Sequence, residues 1–295
     1  MEIFQYSYMI KALIVGAFLS IIIPCMGVVV VNKKISVIGD ALSHVSLAGV
    51  MLGLITSTSP VLGALVLCVI GSIFLEYVRT KFPGYQEISS AILMSTGIGL
   101  ASIFSGFVKT TANFEEYLFG SIIAIPKFDF YLILIISIIV FILFSYLFTD
   151  LMYISFDESS ARLSGVNVDR INLIFMILIA VTISVSARTV GILIISSLMV
   201  VPVACAMQFK KGYLKTTILA SIFGFIFTMI GLFLSFYVGL KPGGTIVLIG
   251  VFFLIILLFI KKRWELGFCP TLIFFIIIFY FCNVDVVEIY FTNMF

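Results

Sequence analysis

Long apolar runs of similar size alternate with short polar clusters along the whole chain. Breaking the sequence at the clusters gives candidate spans near residues 8–31, 36–55, 60–78, 88–108, 128–149, 170–186, 190–208, 214–237 and 244–260. A bilayer core about 30 Å thick takes about 20 apolar residues per helical crossing. The pattern therefore predicts an all-α, polytopic integral membrane protein of about nine transmembrane helices. A tenth apolar stretch, 268–282, is short for a span, and both a re-entrant segment and a further crossing stay open for it. Segment 111–126 carries Glu115 and Glu116 and ends in Pro126, which reads as an external loop with a partly inserted helix. The one long polar connection is 150–169.

Composition removes the alternatives. Of 295 residues, 62% are apolar and 11% charged, and the mean hydropathy is +1.30. A soluble domain carries about 25% charged residues, and nine spans leave no length for a separate catalytic domain. A single transmembrane domain over residues 1–295 is expected. The net charge of +3 is too mild to suggest nucleic acid. The basic residues are instead sorted by side. Of the 17 Lys and Arg, twelve fall in the odd-numbered connections and beyond the ninth span, against five in the even-numbered ones and at the N-terminus. Positive charge is retained in the cytoplasm, so the odd connections are cytoplasmic and the N-terminus is outside. The five cysteines (Cys25, Cys68, Cys205, Cys269, Cys282) are scattered through apolar runs and read as small buried residues, not as a disulfide frame or a thiolate metal site. Only Lys11 is basic before the first span, and no cleavage site follows it, so no removable signal peptide is expected.

Two features carry chemistry. In the second span, Gly39-Asp40-Ala41-Leu42-Ser43-His44 holds the one histidine of the chain four residues after a carboxylate. That spacing puts both side chains on one helix face. Ionisable groups at membrane depth are costly and face a cavity or pathway. An imidazole and a carboxylate one turn apart suit a divalent transition metal. Two ligands are too few for a closed structural site, as a site that must release its ion requires. Two copies of the chain facing each other would double the set. The structural alternative makes Asp40 the N-cap of a helix starting at Ala41 and His44 an ordinary interior residue. Gly49 and Gly53 permit close helix approach.

The second feature is the stretch 156–166. Asp157, Glu158 and Ser159 favour the start of a short helix, and Gly165 stands where it should stop. Such a helix, presented to the cytoplasm, suits docking into a groove of a soluble partner. A plain solvated loop is the alternative. Elsewhere, Glu76 and Arg79 are expected to pair, Glu87 to open the fourth span, and Pro24 and Pro202 to kink or break theirs. With no GxxxxGK[ST], GxSxG or HExxH, the chain has neither a P-loop nor a hydrolase signature.

The stretches GDALSHVSLAGVMLG (39–53), FDESSARLSGVNVDR (156–170) and VGILIISSLMVVPVACA (190–206) resemble the permease subunit of bacterial ABC importers for zinc and manganese, over about residues 8–260. The stretches SHVSLAGVMLG, LEYVR, EISSAILMS, EYLFGSI and MYISFDE are similar to the zinc permeases of Gram-positive bacteria. The resemblance implies a homodimer in the cell membrane with the ion path between its copies. Cytoplasmic ATPase subunits would hydrolyse ATP, and an extracytoplasmic protein would deliver the metal. It implies that Asp40 and His44 contact the metal, and that Asp157, Glu158, Ala161 and Gly165 form the coupling helix. The chain itself would be no enzyme and would hold no permanent cofactor. Zn²⁺ is the expected cargo, with Mn²⁺ or Fe²⁺ as the alternative. A gradient-driven secondary transporter or channel would differ in class, and no internal repeat supports it. Residues 264–295 extend past the resemblance and have no assigned role.

Overall fold

A computed structural model describes residues 6–82, 84–108, 114–120, 126–187 and 190–260. The elements are α1 (Ser7–Asn32), α2 (Val37–Ile55), α3 (Pro60–Lys81), α4 (Gln86–Ser105), α5 (Phe114–Phe119), α6 (Lys127–Phe156), α7 (Glu158–Leu163), α8 (Val168–Ser186), α9 (Ile192–Met207), α10 (Tyr213–Val238) and α11 (Pro242–Ile260). Eight of these helices are long and apolar enough to cross a membrane, and α9 is a shorter apolar helix. The nine expected spans are thus all helical, and among the described residues no strand occurs. Helix α5 occupies the connection expected to hold a partly inserted helix. The stretch 268–282, together with Cys269 and Cys282, lies outside the described residues.

The chain divides into two compact units, Met1–Gly250 and Val251–Phe295, and of the second the described part is the helical stretch 251–260. In the first unit α2 packs along α3 and α4, while α1 packs against α10, α9 and α6. Helix α8 joins the two groups by touching α3 and α6, and α2 also meets α9. Helices α1, α2 and α8 are the most deeply buried, whereas α4 and α6 turn most of their surface outward. An apolar outer face costs nothing in lipid.

Local chemistry sets the ends. Pro60 opens α3, at a position where its missing N–H is not needed. Gly191 precedes α9 at φ +96, so that helix starts at Ile192 and is shorter than the span expected at 190–208. Helix α6 outruns its expected end at 149 and consumes the first seven residues of the polar connection. Leu147, Leu151 and Ile154 are buried and follow one another at helical spacing, so packing continues past the polar Asp150. Helix α1 runs through Pro24 and α9 through Pro202 without ending. On α8 the buried hydroxyls turn back onto their own helix: Thr182 donates to Leu178 O (2.8 Å), Ser184 to Ala180 O (2.9 Å) and Ser186 to Thr182 O (2.6 Å).

The glycines at 49 and 53 find a use. A Cβ on Gly49 would lie 2.5 Å from Ala64 Cα, and one on Gly63 would strike the Gly49 carbonyl. Helices α2 and α3 therefore touch backbone to backbone. Gly97 does the same for α4, where a Cβ would sit 2.7 Å from Val45 N, beside His44.

Contacts separate the two ends of the unit as the charge bias requires. At one end Lys33 donates to Asn172 Oδ1, Arg79 meets Glu158, and Phe156 lies against Tyr213 (5.9 Å between rings). This gathers the first, third, fifth and seventh connections. At the other end Gly191 abuts Phe119 and Gly120, Gly243 abuts Val190, and Lys241 stands over the Phe119 ring at 4.6 Å.

Candidate metal path and coupling helix

Helix α2 starts at Val37 with Ser36 at its N-cap, so Asp40 is inside the first turn and does not cap a helix beginning at Ala41. There its charge is favoured by the helix dipole. Asp40 is exposed and His44, one turn on, is half-buried, while Ala41, Leu42, Ser43 and Val45 are buried. The two ionisable groups share the open edge of a largely buried helix and lie within electrostatic reach of each other. Gly97 of α4 covers the backbone at His44, and Ser196 and Met199 of α9 flank Gly39, which fixes the helix that presents the pair. Among the described residues, no group of three or more His, Cys, Asp or Glu side chains is placed to hold a metal ion.

The polar connection holds α7. Asp157 is its N-cap and accepts hydrogen bonds from the Ser159 N–H (2.9 Å) and the Ser160 hydroxyl. These bonds hold its carboxyl below the usual carboxylate range. Gly165 adopts φ +87 just past the end of α7, a conformation that glycine enters without Cβ strain. Ala161 is buried against the membrane helices. The sequence-derived set thus divides: Asp157 and Gly165 shape α7, Ala161 seats it, and Glu158 makes ion pairs. What α7 turns outward was not picked out from sequence. Leu163 is 90% exposed, and just before α7 the last residue of α6, Phe156, is 74% exposed. An apolar side chain in a polar connection is the signal that would have found Leu163.

Around α7 lies an ionic network. Arg79 binds Glu76 in bidentate fashion, through Nε (2.9 Å) and Nη2 (2.8 Å), and reaches Glu158 Oε2 with Nη1 at 3.6 Å. Glu158 Oε1 faces Arg162 Nη2 at 3.5 Å, and Arg162 also donates to both oxygens of Asp169. The Asp169 pair holds the Arg162 guanidinium above even its ordinary pKa. Lys33, desolvated at the end of α1 and near the Arg79 charge, is lowered to about 8. The expected Glu76–Arg79 pair is present, but its third partner across the fold was not legible. Glu87 stands in the first turn of α4 as expected, and the side chains of Glu115 and Glu116 lie outside the described residues. Cys25, Cys68 and Cys205 are buried and free.

Over residues 5–261 the sequence matches the ABC 3 transport family. The chain belongs to that family. It is a permease subunit related to those of metal ABC importers, a multi-pass protein of the cell membrane and not an enzyme. It is 32% identical over 256 residues to the Treponema pallidum protein named "Probable metal transport system membrane protein", covering 86% of this chain and 96% of the relative. It is 30% identical over 260 residues to the high-affinity zinc uptake system membrane protein ZnuB of Haemophilus influenzae (88% and 100% covered). To the manganese transport system membrane protein MntC of Listeria monocytogenes it is 28% identical over 260 residues (88% and 93% covered). Among solved structures it is similar to PsaBC from Streptococcus pneumoniae in complex with Fab, with a TM-score of 0.79, 27% identity, and 88% of this chain and 95% of that one covered.

Proposed function

We propose that this permease carries Zn²⁺ inward across the cell membrane, past Asp40 and His44, while separate cytoplasmic subunits hydrolyse ATP. The observation that carries this reading is the placement of one carboxylate and the one imidazole of the chain together on the open edge of a buried, apolar α2. Keeping both at membrane depth without a task would be costly. A divalent cation is a cargo that both accept.

The rest of the assembly follows from what the site lacks. Two ligands per chain ask for a second copy, and the outward face of α4 offers it a seat. Ala91, Ser95, Gly99 and Ser102 are small and exposed there, on the face of α4 turned away from Gly97, which meets α2 at His44. Small residues let membrane helices approach closely. The pairs of two copies would then face one path, with each chain acting as a single transmembrane domain. The outward side chains of α7, with Leu163 foremost, form the surface for the ATPase subunit, and an extracytoplasmic metal-binding protein delivers the ion at the opposite end.

A second reading is Mn²⁺ as cargo, favoured by relatives named for manganese transport. Reconstitution with the ATPase subunits decides between them. Zn²⁺ is expected to stimulate ATP hydrolysis and to accumulate inside liposomes, and Mn²⁺ to do so at least tenfold less well. The reverse order would replace the cargo and keep the site. In the same assay Asp40→Asn, which supports a helix start equally well, is expected to cut uptake at least tenfold. Full uptake in that variant would remove Asp40 from the path.

A further inference from the structure

Helix α7 and the metal-bearing helix α2 do not touch through any described side-chain bond, yet force applied to one must reach the other. The buried end of α3 supplies a route. Glu76 is 3% exposed and is neutralised by the Arg79 fork at 2.8 and 2.9 Å. The remaining terminal nitrogen, Nη1, is the one that faces Glu158 of α7 at 3.6 Å. A guanidinium presents donors in a rigid planar fork and can serve two carboxylates at once. On its other side Arg79 lines a cleft of about 90 Å³ together with Lys34, Val37, Ile38 and Glu87, where α2 begins, three residues before Asp40. Further along, α3 is locked to α2 by the backbone contact of Gly63 with Gly49. A displacement of α7 is thus felt at Arg79, and α3 cannot move without α2.

We propose that Arg79 is the positioning residue that transmits motion of α7 to the α2–α3 pair, and so ties ATP hydrolysis to opening of the metal path. This inference rests on the reading of α7 as the ATPase contact. The coupling travels through one element that both partners bias, the end of α3. Arg162 and Asp169 steady α7 from its far side but lead only to α8.

The test uses the permease assembled with its ATPase subunits in liposomes, with Zn²⁺ uptake and ATP hydrolysis read on the same sample. Arg79→Lys keeps a cation for Glu76 but removes the fork. It is expected to leave assembly intact and ATP hydrolysis within about twofold of wild type, while Zn²⁺ carried per ATP falls about tenfold. A role confined to stability would lower both quantities together. A second variant guards against misfolding: Glu76→Gln with Arg79→Gln replaces the buried ion pair by a neutral hydrogen-bonded one and should show the same fall in Zn²⁺ per ATP. An unchanged ratio in Arg79→Lys overturns the proposal. So does a parallel loss of uptake and hydrolysis in both variants. If the wild-type permease binds no ATPase subunit at all, the assignment of α7 fails instead.

Discussion

At the scale of single residues, the ionisable groups of this chain divide into those held by partners and those left open. Asp40 and His44 are the open pair, one exposed and one half-buried on the same face of α2. Lys33 is the opposite case, a cation drawn into the α7 end of the bundle and bonded to Asn172. Its pKa of about 8, against an ordinary 10.5, means that the folded state binds this proton less tightly than the unfolded chain. The sign follows from linkage: between those two values the unfolded state carries more protons, so stability rises with pH across that window. Below pH 8 the cost of charging Lys33 is borne in full. Lys33→Gln, which still has a donor for Asn172, is therefore expected to melt higher than wild type at pH 7, with the difference closing toward pH 10. A thermal-unfolding series in detergent checks this, and a constant offset at all pH values would contradict it.

At the scale of elements, two contacts lend themselves to measurement. The six residues of α7 are too few to be stable on propensity alone, so its cap matters. Asp157→Ala removes the acceptor for Ser159 N–H and Ser160 Oγ. The amides of residues 159–161 should then exchange with solvent faster, while those of α8 keep their rate. Because the cap lowers the Asp157 pKa, its contribution is complete at neutral pH and fades only as pH falls through and below the usual carboxylate range. The α2–α3 seam gives a sharper sign test. In open helix, Gly→Ala stabilises by up to about 1 kcal/mol, and Gly244, with nothing near its missing Cβ, should follow that rule. Gly63→Ala should instead lose about 1–3 kcal/mol, because its methyl meets the backbone of α2. Opposite shifts in unfolding temperature are the expected result.

On the scale of the whole molecule, the two ends of the bundle are chemically distinct. Lys33, Lys34, Arg79, Lys81, Arg162 and Arg170 belong to the end that holds α7, and the mostly apolar contacts of Phe119, Val190 and Gly191 mark the other. The retention of positive charge in the cytoplasm leads us to expect the α7 end inside. A cysteine placed at the exposed Leu163 should react with a membrane-impermeant maleimide in inside-out vesicles and stay unlabelled in intact cells. Labelling from outside would invert the topology. When ATPase subunits are bound, labelling at 163 should fall severalfold, since the most exposed side chain of α7 would be covered.

Run length and hydropathy were sufficient to predict the spans, because in lipid each crossing must satisfy its own backbone and so announces itself as about 20 apolar residues. The face shared by Asp40 and His44 was legible for the same reason, since the helical period alone sets it. The start of α7 near Asp157 and its stop at Gly165 could be read because the signals at helix ends are local. The run of α6 to Phe156 was hidden, as polar Asp150 breaks the hydropathy pattern while the buried stripe at Leu147, Leu151 and Ile154 carries the helix on. Tertiary structure alone decided which distant groups meet: Arg79 with Glu158, Lys33 with Asn172, Gly63 with Gly49. Sequence spacing reports neighbours along one helix, whereas partners on different helices are set by the crossing of elements whose apolar faces carry no address.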